Sequence, residues 1–230
     1  MTAPDSALAP SPLAARPRRL GPLLRFYDGC LRSRLGAQVG KLLAVLVAIG
    51  HAIALPFAAR AASGDAGDAV VVNALGWLTW LGAGAIALSA VGRGSDEAPA
   101  RDLASTRGFS KRSMRTAELL ASGRRTLRVV GVPAVLLALL AMGLSRSVPT
   151  LTARGLLLLG VLGFVSVIAA LVAGLVRLSR ALGPHRPRAA LLALVVLPHL
   201  LHELFPRVPS VPALTSFLTT QLLGIGAFFK

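Results

Sequence analysis

The stretch GLLLLGVLGFVSVIAALVAGLV, residues 155–176, contains no charged side chain. A helix needs about 20 predominantly apolar residues to cross the hydrocarbon core of a bilayer, so this stretch predicts a transmembrane helix. The composition agrees with that prediction. Of the 230 residues, 54% are hydrophobic and only 15% are charged, which is too little charge to cover the surface of a soluble domain of this length.

Five further apolar runs accompany the first one, and they are 42–59, 69–92, 129–145, 189–201 and 211–229. The run at 189–201 has only 13 residues, which is short for a crossing and is typical of a broken or re-entrant segment. The predicted fold class is therefore an all-α integral membrane protein. About six transmembrane helices would form one polytopic domain over residues 37–230.

The basic residues predict how these helices are oriented. If the N-terminus is cytoplasmic and all six runs cross, every Lys and Arg lies on the inner side except Arg60, Arg146, Arg154 and Arg207. The positive-inside rule favours this arrangement, with both termini cytoplasmic and the protein in the cytoplasmic (inner) membrane. The net charge of +16 is then explained by loops lying against an anionic bilayer, and no nucleic-acid partner is predicted.

The segments that precede the first apolar run differ in character. Residues 1–17 are rich in Pro and Ala and are expected to form a disordered tail. Residues 18–36 place leucines and Tyr27 at helical spacing among arginines. This pattern predicts a basic amphipathic helix lying in the membrane interface. A plain basic flank of the first span is the alternative interpretation.

The cytoplasmic loop at 93–128 contains a second predicted helix. Gly108 interrupts the chain, and Ser110 is a suitable N-cap for a helix that extends to about Ala121. Met114 lies on its apolar face. An amphipathic helix between two spans is a natural docking surface for a partner. The alternative is a solvated basic loop resting on lipid.

Few residues suggest catalysis or metal binding. His199 and His202 are three residues apart, followed by Glu203, but the order H-x-x-H-E is not the H-E-x-x-H of a zinc protease. Polar residues at the outer end of a short helix are the favoured interpretation, and a metal-dependent intramembrane hydrolase is the minor alternative. The GAGAIA sequence at 82–87 is best explained by close helix packing. The sequence has neither a P-loop nor a G-x-S-x-G motif, so no enzyme activity, cofactor or metal is predicted.

Residues 102–142 read DLASTRGFSKRSMRTAELLASGRRTLRVVGVPAVLLALLAM. This stretch, together with the order of the apolar runs, resembles the type-2 permeases of ATP-binding-cassette (ABC) exporters. In that family a leucine-rich turn and a Pro- or Gly-containing bend precede a helix that runs into the third span. The corresponding residues here are Arg107, Gly108, Phe109, Ser110, Lys111, Arg112 and Met114, and they are named the coupling segment. The acidic-then-Gly-Thr sequence found in many members is absent.

The resemblance implies a transport subunit. It would pair with a second copy or a paralogous permease and bind a separate P-loop ATPase through the coupling segment. The chain ends at Lys230, so the ATPase is expected on another polypeptide. Residues His199, His202 and Glu203 would lie in an outer gate. The few polar groups in the spans slightly favour a hydrophobic cargo. A non-catalytic membrane scaffold or assembly subunit is the alternative function.

Overall fold

The computed structural model describes residues 20–60, 65–91, 105–144, 151–183 and 185–205, together with positions 102, 207, 210, 213, 214 and 217. The described residues are helical with no strand. Five of the helices are long and apolar enough to cross a membrane. The protein is therefore a helical membrane protein. The predicted tail at 1–17 and nearly all of the predicted span at 211–229 lie outside the described residues.

Six helices of eight or more residues lie within the described part of the chain, and two of them contain a π-helical turn. Their bounds are α1 Leu20–Ser33; α2 Leu35–Arg60; α3, made of Asp65–Trp77, the π turn Leu78–Ala83 and Gly84–Val91; α4, made of Lys111–Thr126, the π turn Leu127–Gly131 and Val132–Leu144; α5 Leu151–Leu182; and α6 Pro187–Leu204.

Helices α2 and α3 pack closely and antiparallel through small residues. A Cβ on Gly40 would lie 2.6 Å from the Cβ of Ala85, and a Cβ on Gly82 would lie 3.6 Å from the Cβ of Ala44. One turn towards the N-terminus of α2, Gly36 faces Ser89 in the same way. Small residues let helix backbones approach in a bilayer, where dispersion contacts drive association. The predicted packing role of the 82–87 sequence is confirmed.

Helix α4 joins the predicted cytoplasmic helix and the third span into one helix of 34 residues. Gly108 precedes it with φ +74°, a conformation that a side chain would strain. The Ser110 side chain then accepts a hydrogen bond from the Ser113 N–H at 3.0 Å, which confirms the predicted N-cap. The sequence predicted that this helix ends near Ala121, but it does not. It continues through the π turn that precedes Pro133, the kind of widened turn that commonly lets a helix bend.

The N-cap gives a test of this local structure. Ser110→Ala is expected to destabilise the first turn of α4 by about 1 kcal/mol, because the Ser113 N–H loses its acceptor. Ser110→Asp is the control, since aspartate caps equally well. Hydrogen exchange at the amides of residues 111–114 should be faster in the alanine variant only. Equal exchange in the two variants would contradict the role of the cap.

Helix α5 supplies much of the core. Phe164, Ile168 and Val161 are completely buried within the main apolar cluster. A helix of 32 residues is about 48 Å long, whereas the hydrocarbon core of a bilayer is about 30 Å thick. Its C-terminal turns, with Arg177 and Arg180, therefore extend beyond the apolar run.

The fifth predicted span is longer than its apolar run. Helix α6 has 18 residues and passes through Pro198 without a break, so the broken segment predicted from residues 189–201 is not observed. The apolar run underestimates the length of α6 at both ends. At the start, Pro187 occupies a favourable position in the first turn, and at the end the helix continues into the polar residues His202 and Glu203. Only Leu191 is buried among the residues of α6, so this helix is peripheral within the described part of the chain.

Candidate functional site

The N-terminal helix packs against the first part of α4. Leu23 and Tyr27 of α1 form a buried cluster with Met114, Ala117 and Ala121 of α4. Leu23, Tyr27 and Leu31 of the stripe that predicted contact with the bilayer are thus turned towards protein, whereas Leu20 and Leu35 are exposed. The sequence could not distinguish these two environments, because both require an apolar face at helical spacing.

An ion pair also connects α1 and α4. Arg128 donates a hydrogen bond to the Asp28 carboxylate at 3.0 Å. Arg125, one turn earlier on α4, is only 7% exposed. Its Nε and the second carboxylate oxygen of Asp28 are both buried without a hydrogen-bond partner among the described residues. The positive charge of Arg125 stands close to Asp28 and reinforces the attraction between α1 and α4.

Two arginines, Arg34 in the bend between α1 and α2 and Arg180 of α5, bind the C-terminal end of α3. Arg34 donates to the backbone carbonyl of Ser89, and Arg180 donates to that of Ala90. The last carbonyls of a helix have no intrahelical partner and carry the negative end of the helix dipole, so both contacts are favourable. Arg180 also pairs with Glu118 of α4 at 2.5 Å. The first section of α4, Lys111–Thr126, is thereby joined to α5 and, through Arg180, to α3.

The structure separates the coupling segment into exposed and packed residues. The side chains of Arg107, Ser110, Lys111 and Arg112 are exposed, as is the backbone of Gly108. Phe109 is half-buried against the α1–α4 cluster. Met114 is 8% exposed within that cluster. Because α1 covers Met114, any effect of this residue on docking would act through the position of α1.

Sequence reasoning did not single out Asp28, Arg34, Glu118 or Arg180. Asp28 gave one usable signal, because it is the single acid in the otherwise basic helix at 18–36. The other three residues make the contacts Arg34–Ser89, Arg180–Ala90 and Arg180–Glu118, and each contact joins residues that are 55 to 90 positions apart in the chain. No local pattern in the sequence encodes such pairs.

The predicted outer-gate residues lie together at the C-terminal end of α6. His199 is half-buried and its Nδ1 has no hydrogen-bond partner among the described residues, whereas Glu203 is exposed. No group of three His, Cys, Asp or Glu side chains within the described ranges is arranged to hold a metal ion. His51 in α2 donates its Nδ1–H to the Val47 carbonyl at 2.8 Å, so its own helix supplies the partner.

A small crevice lies where α1, α3 and α4 meet, at the end of the helices that carries Arg34 and Arg180, which is called the basic end. Its lining includes Tyr27, Cys30, Arg34 and Glu118. Arg34 and Glu118 in its walls also make contacts described above that hold the helices in position.

Comparisons with protein-family models, with curated proteins and with solved structures each found no match.

Proposed function

We propose that this protein is the membrane-spanning permease subunit of an ABC exporter. The observation that carries the proposal is the unbroken course of α4 from an exposed basic section to an apolar section long enough to span the bilayer. A force applied to the exposed section would pass directly into the bundle. A bare membrane anchor does not require such a continuous connection.

The contacts around α4 favour the same mechanism. Asp28 pairs with Arg128 in the π turn of α4 and so ties α4 to α1, and Glu118 ties the first section of α4 to Arg180 of α5. Closure of an ATPase pair beneath the membrane would therefore displace three helices together. The π turn at Leu127–Gly131 supplies a bending point between the moving section and the span. The resulting rocking would alternate inward-open and outward-open states.

The remaining assignments follow from this proposal. The basic end would face the cytoplasm, in agreement with the positive-inside rule, and the membrane would be the cytoplasmic one. A second copy or a paralogous permease would complete the pathway. His199, His202 and Glu203, at the opposite end of α6 from Arg188, would lie at the outer side. The cargo would be hydrophobic, because the described spans offer few polar side chains.

The test is a mild-detergent pull-down of the tagged protein expressed with its neighbouring genes. A stoichiometric P-loop ATPase is expected to copurify, and Phe109→Asp combined with Met114→Asp should abolish the capture or uncouple ATP hydrolysis from transport. Arg186→Ala combined with Arg188→Ala changes two exposed basic residues at the same end and should leave capture unchanged.

A preparation without an ATPase, from cells that express the neighbours, would instead support the scaffold or assembly function. If the variant with Phe109→Asp and Met114→Asp still captures the ATPase and still couples ATP hydrolysis to transport, the coupling segment has no part in the mechanism. If zinc copurifies with the wild type and is lost in His199→Ala, the result would favour the alternative function of a metal-dependent intramembrane hydrolase.

A further inference from the structure

Three arginines surround one carboxylate at the contact between α1 and α4. Arg32 of α1 and Arg128 of α4 both stand close enough to Arg125 to repel its charge, and Asp28 is the acid that attracts it within the described part of the chain. These four residues are named the arginine cluster. Three positive charges and one negative charge leave +2, so the cluster carries an excess of positive charge.

The hydrogen bonds of the arginine cluster are incomplete. Asp28 accepts its hydrogen bond from Arg128 through one carboxylate oxygen, and its other oxygen is buried without a partner among the described residues. Arg125 is 7% exposed, and its Nε likewise finds no acceptor there. A buried charged donor without an acceptor is unfavourable. An anion that enters the cluster from outside would supply the acceptor and balance the charge.

The arginine cluster lies where α4 changes from charged to apolar. Beyond Arg128, residues 129–144 contain no charged side chain. Val132, Leu136 and Leu139 are exposed and follow Arg128 at helical spacing along the outside of α4. In a bilayer the lipid phosphates lie at the edge of the hydrocarbon core, and the acyl chains fill the core. The cluster and the apolar strip therefore match the two parts of one phospholipid.

This position favours a lipid over a soluble protein as the source of the anion. A protein carboxylate would have to reach the edge of the hydrocarbon core, next to an exposed apolar strip. Leu20 and Phe26 of α1 are also exposed, and such side chains insert into the membrane interface. Arginine suits a phosphate because its planar guanidinium donates two parallel hydrogen bonds to it. Arg32 and Arg128 are exposed and accessible to a lipid.

We propose that the arginine cluster binds the phosphate of an anionic phospholipid, whose acyl chain lies along Val132, Leu136 and Leu139. Basic pockets between membrane helices bind lipid headgroups in this way. The excess positive charge selects a headgroup without a cation of its own. The bound lipid would hold α1 against α4, where Asp28 satisfies the arginines only in part. The proposal does not depend on the permease function, since it applies equally to a scaffold.

Lipid titration followed by native mass spectrometry tests the site on the full chain in mild detergent. The wild type is expected to retain dioleoyl phosphatidylglycerol more tightly than dioleoyl phosphatidylcholine, and to keep it in an excess of inorganic phosphate. Arg32→Gln with Arg128→Gln should weaken the retention of phosphatidylglycerol by about tenfold or more, because charge-assisted hydrogen bonds are lost. Arg186→Gln with Arg188→Gln removes two exposed charges outside the cluster and should leave retention unchanged.

Asp28→Asn distinguishes a lipid site from a purely structural cluster. The change removes the ion pair with Arg128, so the variant should unfold at a lower temperature than the wild type when no lipid is added. It also removes the negative charge of the cluster and frees Arg128, so the affinity for phosphatidylglycerol should rise by about threefold or more. A structural cluster predicts the opposite, because α1 and α4 would be less firmly joined and any lipid between them less firmly held.

Each outcome supports or overturns the lipid site. Equal retention of the two lipids by the wild type overturns it, as does equal retention of phosphatidylglycerol by the wild type and the variant with Arg32→Gln and Arg128→Gln. Displacement of the lipid by inorganic phosphate assigns the cluster to a free anion and also overturns it. Circular dichroism and size-exclusion profiles show whether the variants fold. If the double variant does not fold, Asp28→Asn decides, and an affinity no higher than that of the wild type overturns the site.

Discussion

Replacing Arg180 with methionine is expected to lower the free energy of unfolding by about 3 kcal/mol, the scale measured when one partner of a largely buried ion pair is removed. Arg180 is 23% exposed and contacts both the Glu118 carboxylate and the Ala90 carbonyl. Methionine keeps the apolar length of the side chain but removes every donor. The last turn of α3 and the first section of α4, Lys111–Thr126, would both lose their polar contact with α5. Unfolding in mixed micelles, followed by circular dichroism, measures the change.

Two companion variants distinguish the ion pair from other effects at Arg180. Arg177→Met removes an exposed charge one turn earlier on α5 and should change stability by less than about 0.5 kcal/mol. The exchange Glu118→Arg with Arg180→Glu restores opposite charges but cannot donate to the Ala90 carbonyl, so it should recover only part of the loss. If Arg180→Met is as stable as the wild type, the contacts of Arg180 with Glu118 and the Ala90 carbonyl do not stabilise the fold.

Gly40→Ala is the second change with a large expected effect. Its added Cβ would lie 2.6 Å from the Cβ of Ala85, and both atoms are bonded directly to rigid helix backbone. Helices α2 and α3 must separate to admit the methyl group, and overpacking of this kind costs about 1–3 kcal/mol. Thermal unfolding in detergent should therefore begin at a lower temperature than in the wild type.

The same helix provides the matched control for this change. A Cβ added at Gly50 meets no atom within 4 Å, so Gly50→Ala should be neutral or slightly stabilising through its better helix propensity. Adding Ala85→Gly to Gly40→Ala removes the obstructing methyl and should restore most of the stability. If the double variant is no more stable than Gly40→Ala, the close approach of α2 and α3 is not the cause.

Much of this fold could be predicted from local patterns. Apolar runs at 42–59, 69–92, 129–145 and 155–176 correspond to long apolar helices, since hydrophobic length is a property of contiguous residues. The Ser110 cap was also predictable, because a cap depends on residues three positions apart. The glycines and alanines at 82–87 signalled close packing, although the sequence did not identify α2 as the partner.

The arrangement of the candidate site depends on contacts that local patterns do not contain. An apolar stripe on α1 is compatible with lipid or with protein, and only the tertiary structure shows that Tyr27 faces Met114. Arg34 and Arg180 look like ordinary membrane-flanking arginines, yet both bind carbonyls at the end of α3. The positive-inside rule accounts for their presence but cannot assign their partners.

The two π turns also affect how relatives of this chain can be recognised. A π turn amounts to one extra residue in an α-helix, and each extra residue rotates everything beyond it by about 100° around the helix axis. The turns at Leu78–Ala83 and Leu127–Gly131 pack near each other, where a Cβ on Gly82 would stand 3.2 Å from the Val130 side chain. A homologue with straight helices, aligned on the Asp65–Trp77 part of α3 and the Val132–Leu144 part of α4, would match the parts beyond the turns only after a single-residue gap at each turn. Without those gaps its buried positions would align with exposed ones here.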